Sequence, residues 1–468
     1  GINGPKEKKK VKNSKVNGKK GGHLDGRKTM DEENRVILRL RPGLSKIERK
    51  EIHTLIVSKC KLFETSTLTE TPASSSENNQ SPDSFRTVRC RQSDIGIAGI
   101  KDMQAVTYQF CTFRDTKIHR ILSRLGQLER QGVQMGNFYK VDWVLNNGDL
   151  DGNEFEIFVR NVKRINISIC GAKSVVESLI ECQPAHITSM AERIRQNGFI
   201  NFFGPQRVGA PGESGATAFK IGRLMLQQDF KGAIDVLMMG RTTFHREGEQ
   251  EGETARKVRR IWKETGDPSA ALDALGGGDL MPRERSVLKG LKRYGADQSL
   301  QALQCLSHSM RTFWINAYQS YVWNQVASKR IARYGNNVVK GDMYVEKDDT
   351  MLSNVKVIQD EALCSTIPLE QIVLPLPGYR VSYPQNEVGQ KYEDILLGDN
   401  VKFEKSAPPE ATAKGAYRRL IVLPRNIHAE VESDQTTNIR LKFALPKGSY
   451  ATMLLRELMV TTATRHNA

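Results

Sequence analysis

A mostly helical stretch, residues 219–330, separates two regions that read as mixtures of strands and helices. That order constrains the fold more than any other feature. Strands on both sides of a helical middle are most simply joined in one sheet, with the helices leaving as an insertion. The expected class is α+β, with a mixed, largely antiparallel sheet interrupted by a mainly helical domain. "FYKVDWVLN" (138–146) and "EFEIFVRNV" (154–162) read as strands joined through the turn-rich "NGDLDGN" (147–153), which predicts a hairpin. "AKSVVESLIEC" (172–182) and "HITSMAERIRQNG" (186–198) have helical spacing, the second closing on Gly198. "FWINAYQSYVWNQVASKRIARYG" (313–335) reads as an amphipathic helix stopped by Gly335, and "YATMLLRELM" (450–459) as a core-packed helix. Strands are expected at 418–423 and 438–444.

The expected domain order is a disordered basic tail at 1–34, a folded segment at 35–70 and a linker at 71–90. The catalytic domain then follows in two parts, 91–206 and 413–468, around the insertion at 207–412. The tail includes "KEKKKVKNSKVNGKK", which cannot bury a core and suits either a nuclear-localisation signal or a nucleic-acid arm.

The 468 residues carry a formal net charge of +17. Residues 1–30 hold nine Lys and one Arg against one Glu and one Asp, or +8, which leaves 17 − 8 = +9 for the rest. A basic body points to a polyanionic partner, with nucleic acid first. The seven cysteines are scattered without a C-x-x-C pair, which argues for reduced thiols rather than a disulfide framework or a zinc site. No H-E-x-x-H, phosphate-binding loop or dinucleotide fingerprint appears, and no apolar run reaches the roughly 18 residues of a membrane helix. The first residue is Gly rather than Met, so the sequence reads as a fragment or an incomplete gene model.

Three short stretches could carry chemistry. In "IGIAGIKDMQAVTYQF" (95–110), an apolar strand leads through Gly96 and Gly99 to Lys101 and Asp102. A positioned carboxylate there could act as nucleophile or base; its plain alternative is a cap for the next segment. In "GNEFEIFVR" (152–160), Asn153 and Phe155 share one strand face, so an amide could pair with a base edge and a ring could stack on it. The plain alternative is a turn Asn and a core Phe. "NGFINFFGPQRVGAPGESG" (197–215) is a Gly/Pro-rich loop whose Arg207 could meet phosphate, or simply be solvated.

These stretches together resemble the TruD-type pseudouridine synthases, specifically their eukaryotic branch. The resemblance rests on "AGIKDMQAVTYQ" (98–109), "GDLDGNEFEIFVRNV" (148–162) and "NGFINFFGPQRVG" (197–209), with "GAYRRLIV" (415–422) and "LKFALPKGSYATMLLREL" (441–458) following in family order. It implies that Asp102 is the catalytic nucleophile and that Asn153 and Phe155 bind the target uracil. It places Lys101, Phe203, Gly204, Gln206 and Arg207 at the substrate cleft. The implied activity is isomerisation of uridine to pseudouridine in tRNA, and also in mRNA, by a monomer in the nucleus or cytoplasm, with mitochondria left open. No cofactor, metal or membrane is implied. The loops 99–103, 152–155 and 201–209 should converge on one cleft. Departures from the family pattern are Met103 in place of a basic residue and Val208 in place of an aromatic. An upstream Glu-Asp-Phe-x-Val-x-Glu motif and a Lys-Glu-Asn-Lys-Asp-Thr segment have no match. The competing reading is therefore a catalytically impaired RNA-binding or RNA-chaperone homologue. A glycosidase with paired carboxylates is disfavoured, because the Asp102 region supplies no second acid.

Overall fold

The computed structural model describes Ser66–Leu68 and residues 94–459, apart from 100, 102–104, 115, 131, 161, 171–173, 182, 210–217, 241–251, 279 and 434–436. The expected tail, the folded segment up to residue 65, the linker and Asp102 itself lie outside the described residues.

The main sheet has the strand order Arg425–Ser433, Thr437–Pro446, Gly152–Val159, Ser66–Leu68, Val106–Thr107. Its ladders are antiparallel except that between Ser66–Leu68 and Gly152–Val159. Period-two alternation decides what each face does. Phe155, Ile157 and Val159 lie opposite Phe443, Leu441 and Ile439, and all six join one apolar cluster. Helix Pro184–Asn197 covers that cluster with Ile187 and Ile194, and helix Ala451–Leu458 covers it with Met453 and Leu454. On the other face Arg440 and Lys442 stand near Glu156, at 3.7 and 3.6 Å.

The helical body runs from Ala218–Leu226 to Glu387–Gly398 around the 27-residue helix His308–Tyr334. At 1.5 Å per residue that helix is about 40 Å long. The Ser307 hydroxyl caps it by accepting from the Met310 amide at 3.3 Å, and Gly335 ends it at φ 55°, a conformation that favours glycine. Trp314, Tyr318, Val322 and Trp323 are fully buried along it. Helix Ala218–Leu226 crosses it at Gly222, where an added Cβ would lie 1.9 Å from the Trp314 carbonyl oxygen. Gly222→Ala is therefore expected to force the two backbones apart and cost about 1–3 kcal/mol, the usual range for overpacking. Urea denaturation would register this as a lower midpoint; an unchanged midpoint would contradict the close crossing.

The architecture is α+β, with helices and mainly antiparallel sheets. A second sheet, in the order Lys356–Val357, Met343–Tyr344, Ile372–Leu376, Ala416–Arg419, belongs partly to each of the expected domains. Ala416–Arg419 pairs with Ile372–Leu376, and Ile421–Val422 immediately after it pairs with Phe199–Ile200. Residues 416–422 thus tie the helical body to the strand Phe199–Ile200.

Two sequence expectations fail locally. Residues 138–146 form no strand and no hairpin with 152–159. Tyr139 and Trp143 stay exposed, only Leu145 is buried and Phe138 packs at the edge of the cluster around Tyr108, so most of the alternating pattern covers no apolar surface. The segment 172–182 contains the strand Ser174–Glu181 rather than a helix, paired antiparallel with Lys163–Cys170. Ile165, Ile167 and Ile169 give that partner the β-branched alternation that favours a hairpin.

Candidate functional site

The strand Ile95–Ile97 opens onto Ala98 and Gly99, which begin the wall of a cavity of about 400 Å³. A ligand pocket for a small molecule typically has this size. Glycine at 96 permits the approach that builds it, since a Cβ there would sit 2.2 Å from the Leu145 carbonyl oxygen. The Leu145 amide donates to Thr112 Oγ1 at 2.9 Å and the Gly148 amide to the Ala98 carbonyl at 2.8 Å. Those bonds lay residues 145–148 beside the strand and bring Asn147 and Gly148 to the cavity.

Lys101 and Asn153 meet in this cavity although 52 positions separate them. The Lys101 ammonium donates to Asn153 Oδ1. An ammonium can only donate, so the contact fixes the amide with its oxygen toward Lys101 and leaves the Asn153 NH₂ to serve a ligand. Burial pushes the Lys101 ammonium down to about 8. Lys447 lines the cavity as well, its ammonium held by the Gly148 carbonyl at 2.9 Å.

A larger groove of about 1650 Å³ adjoins through Lys447 and runs between helix His308–Tyr334 and strand Ala416–Arg419. Eight Lys or Arg residues line it, against only Asp151 and Glu370. Such a ratio suits a phosphate backbone. Phe203 and Arg207 belong to this groove. Gly204 is buried where it starts the short helix Pro205–Val208, and Gln206 is exposed on it. Arg207 lies over the Phe313 ring, 5.4 Å from its centroid, and its Nε is buried without a hydrogen-bond partner.

The sequence-selected residues therefore fall into three places. Lys101 and Asn153 share the small cavity, while Phe203 and Arg207 stand in the groove. Phe155 lines neither; its half-buried ring stacks on Phe443 with centroids 5.3 Å apart. Arg418 escaped the sequence reading. It is 9 % exposed, its guanidinium lies 3.9 Å from the Phe203 centroid, and it lines the groove. The signal was present in "YRR": neighbouring strand residues face opposite ways, so one of two adjacent arginines must turn inward.

Known proteins resemble this chain in sequence and in fold. The family described as tRNA pseudouridine synthase D (TruD) matches residues 83–458. Human pseudouridylate synthase PUS7L is 30% identical over 396 residues, covering 78% of this chain and 52% of the human protein. Multisubstrate pseudouridine synthase 7 of Schizosaccharomyces pombe is 31% identical over 432 residues, covering 78% and 58%. The chain thus spans about half the length of these curated relatives. A crystal structure from Methanosarcina mazei, described as a tRNA pseudouridine synthase D, superposes with a TM-score of 0.58 at 22% identity, covering 90% of this chain and 100% of the other. That likeness concerns the fold, and it agrees with the α+β architecture. Among the described residues no helix is long and apolar enough to cross a membrane, and no cluster of His, Cys, Asp or Glu could hold a metal. With most of its length matched, from the glycine-bracketed lysine to the C-terminal helix, the chain belongs to the TruD family.

Proposed function

We propose that the chain is an RNA pseudouridine synthase with Asp102 as its nucleophile. The observation that carries this reading is the meeting of Lys101, the residue just before Asp102, with Asn153 in one cavity beside a basic groove. Isomerisation breaks the bond from C1′ to N1 and forms one from C1′ to C5. A proton leaves C5 and another is gained at N1. Attack by a carboxylate on the nucleotide divides this change into two easier steps through a covalent intermediate. The target base must leave its stack to reach the carboxylate, and a pocket must then hold it. Uracil offers two carbonyl acceptors, and the Asn153 NH₂ fixed by Lys101 can donate to one of them. Phe155, two residues along the same strand face, is the stacking partner in this reading, which requires its ring to turn away from Phe443 toward the cavity. Phe203, Gly204, Gln206 and Arg207 serve the adjoining strand. The substrate is tRNA, with mRNA as a further one; the enzyme is a monomer of the nucleus or cytoplasm and uses no cofactor.

The reading has a pH signature. Lys101 is cationic below about 8 and neutral above it. If the cation holds Asn153 in place, kcat/KM should be level below that value and fall roughly tenfold per pH unit above it. Lys101→Met should be slower and lack the inflection. A wild-type profile that stays flat well past pH 8 would remove Lys101 from this role. The activity itself is tested by incubating the chain with an unmodified tRNA transcript and mapping pseudouridine. A new pseudouridine is expected; none on any tRNA, despite tight binding, would favour the impaired RNA-binding homologue.

A further inference from the structure

Arg418 and Arg207 form a pair of like charges in the groove wall. Three donor nitrogens hold Arg418: Nε gives to the Asn201 carbonyl at 2.8 Å, Nη2 to Asn201 Oδ1 at 2.7 Å and Nη1 to the Gly448 carbonyl at 2.9 Å. A guanidinium has five N–H groups, so two remain. Its stacking partner Phe203 lies 3.9 Å away, and the Trp323 and Tyr450 rings follow at 5.5 and 5.9 Å. Burial pushes Arg418 down to about 10; Tyr450 pulls it up, and the charge on Arg207 pushes it down by less than that. Arg418 is thus cationic at neutral pH. Among the described residues no Asp or Glu side chain pairs with either arginine, and Arg207 Nε is buried without a partner.

Two neighbouring cations in a wall that water reaches poorly repel one another, and among the described residues no carboxylate offsets them. An anion seated between them would relieve that repulsion and use the free N–H groups in the planar fork that arginine offers to phosphate. The rest of the groove narrows the choice of anion. Lys347, Lys405, Lys414 and Arg425 continue its positive lining beyond the pair, which suits a repeating polyanion rather than a single acid.

We infer that Arg207 and Arg418 form a receptor for one backbone phosphate of a single RNA strand, next to the cavity that takes the target nucleotide. The inference rests on RNA as the ligand of the groove. It assigns Arg418 two roles at once: it ties the loop at Asn201 to the loop at Gly448, and it presents charge to the strand.

Arg207→Met is the cleaner variant, because it breaks no hydrogen bond in the fold and keeps an apolar stem against Phe313. The probe is a fluorescent oligouridylate, titrated by anisotropy at several concentrations between about 50 and 200 mM salt. Arg207→Met should bind about 10-fold more weakly, in the range of a lost charge-assisted bond, and Arg207→Lys should recover most of that. The double variant Arg207→Met/Arg418→Gln should lower the slope of log affinity against log salt by about 0.7, the contribution of one single-strand phosphate. Circular dichroism confirms that each variant is folded. An unchanged slope in a folded double variant overturns the receptor, even if wild type forms pseudouridine. A reduced slope supports the receptor even if wild type forms none, so the two readings fail separately.

Discussion

Asp102→Asn is expected to abolish pseudouridine formation, by at least about 10⁴-fold, while RNA affinity stays nearly unchanged. The carboxamide keeps the size and most of the shape of the carboxylate. It loses the charge and the nucleophilic lone pairs that attack on the nucleotide requires. Binding should survive because the groove supplies its own cations, eight of them, independent of residue 102. Lys101 and Asn153 would still make their contact, so the pocket that receives the base would remain built. Single-turnover assays on a defined tRNA, beside a binding titration of the same RNA, separate the two quantities. Retention of full activity by Asp102→Asn would end the assignment of Asp102. Equal loss of binding and activity would mean that the residue shapes the fold rather than the reaction.

Arg330→Met should destabilise the helical body by about 3–5 kcal/mol. Arg330 and Asp342 are both fully buried and face each other with Nη2 2.7 Å from Oδ2 and Nε 3.1 Å from Oδ1. The same guanidinium donates to the Gly335 carbonyl at 3.1 Å and to that of Asn337, so it also holds the turn that follows the long helix. Asp342 in turn accepts from the Val339 amide at 3.1 Å and Asn386 Nδ2 at 3.2 Å. Removing the arginine leaves a buried carboxylate with no cation, which is far more costly than never having had the pair. The double variant Arg330→Met/Asp342→Leu should regain part of the loss, because it removes the stranded charge. Thermal unfolding of the three chains tests this. A single variant that melts with the wild type would show that solvent reaches Asp342 and that the pair is not the keystone of this end of the helix.

The elements visible in the sequence were those whose ends carry their own chemistry. Helix Pro184–Asn197 stops at Gly198 and helix His308–Tyr334 at Gly335, and both glycines have positive φ in the structure. The misread elements lacked such marks. In Ser174–Glu181, Val175, Val176, Leu179 and Ile180 fit one face of a helix as well as they fit a strand, and only the partner Lys163–Cys170 decides between them. In 138–146 the alternation was real but found no strand to pair with, because the strand Gly152–Val159 takes Thr437–Pro446 as its antiparallel neighbour instead. The candidate site was legible for a different reason. Lys101 and Asn153 came from short stretches whose resemblance to a family is specific, and the contact between them then followed from the fold. Arg418 was hidden because its partners, Asn201, Phe203 and Gly448, come from distant parts of the chain. No local pattern announces a pair of arginines that only tertiary structure brings together.

The central claim is that this chain moves the uracil attachment from N1 to C5. That change must expel the hydrogen on C5, and RNA binding alone cannot. The direct measurement is release of tritium to solvent from tRNA whose uridines are tritiated at C5, followed to completion with the wild-type chain. The account predicts release that reaches one equivalent per modified uridine and disappears in Asp102→Asn. Tight binding of the same tRNA without any release of tritium would contradict it.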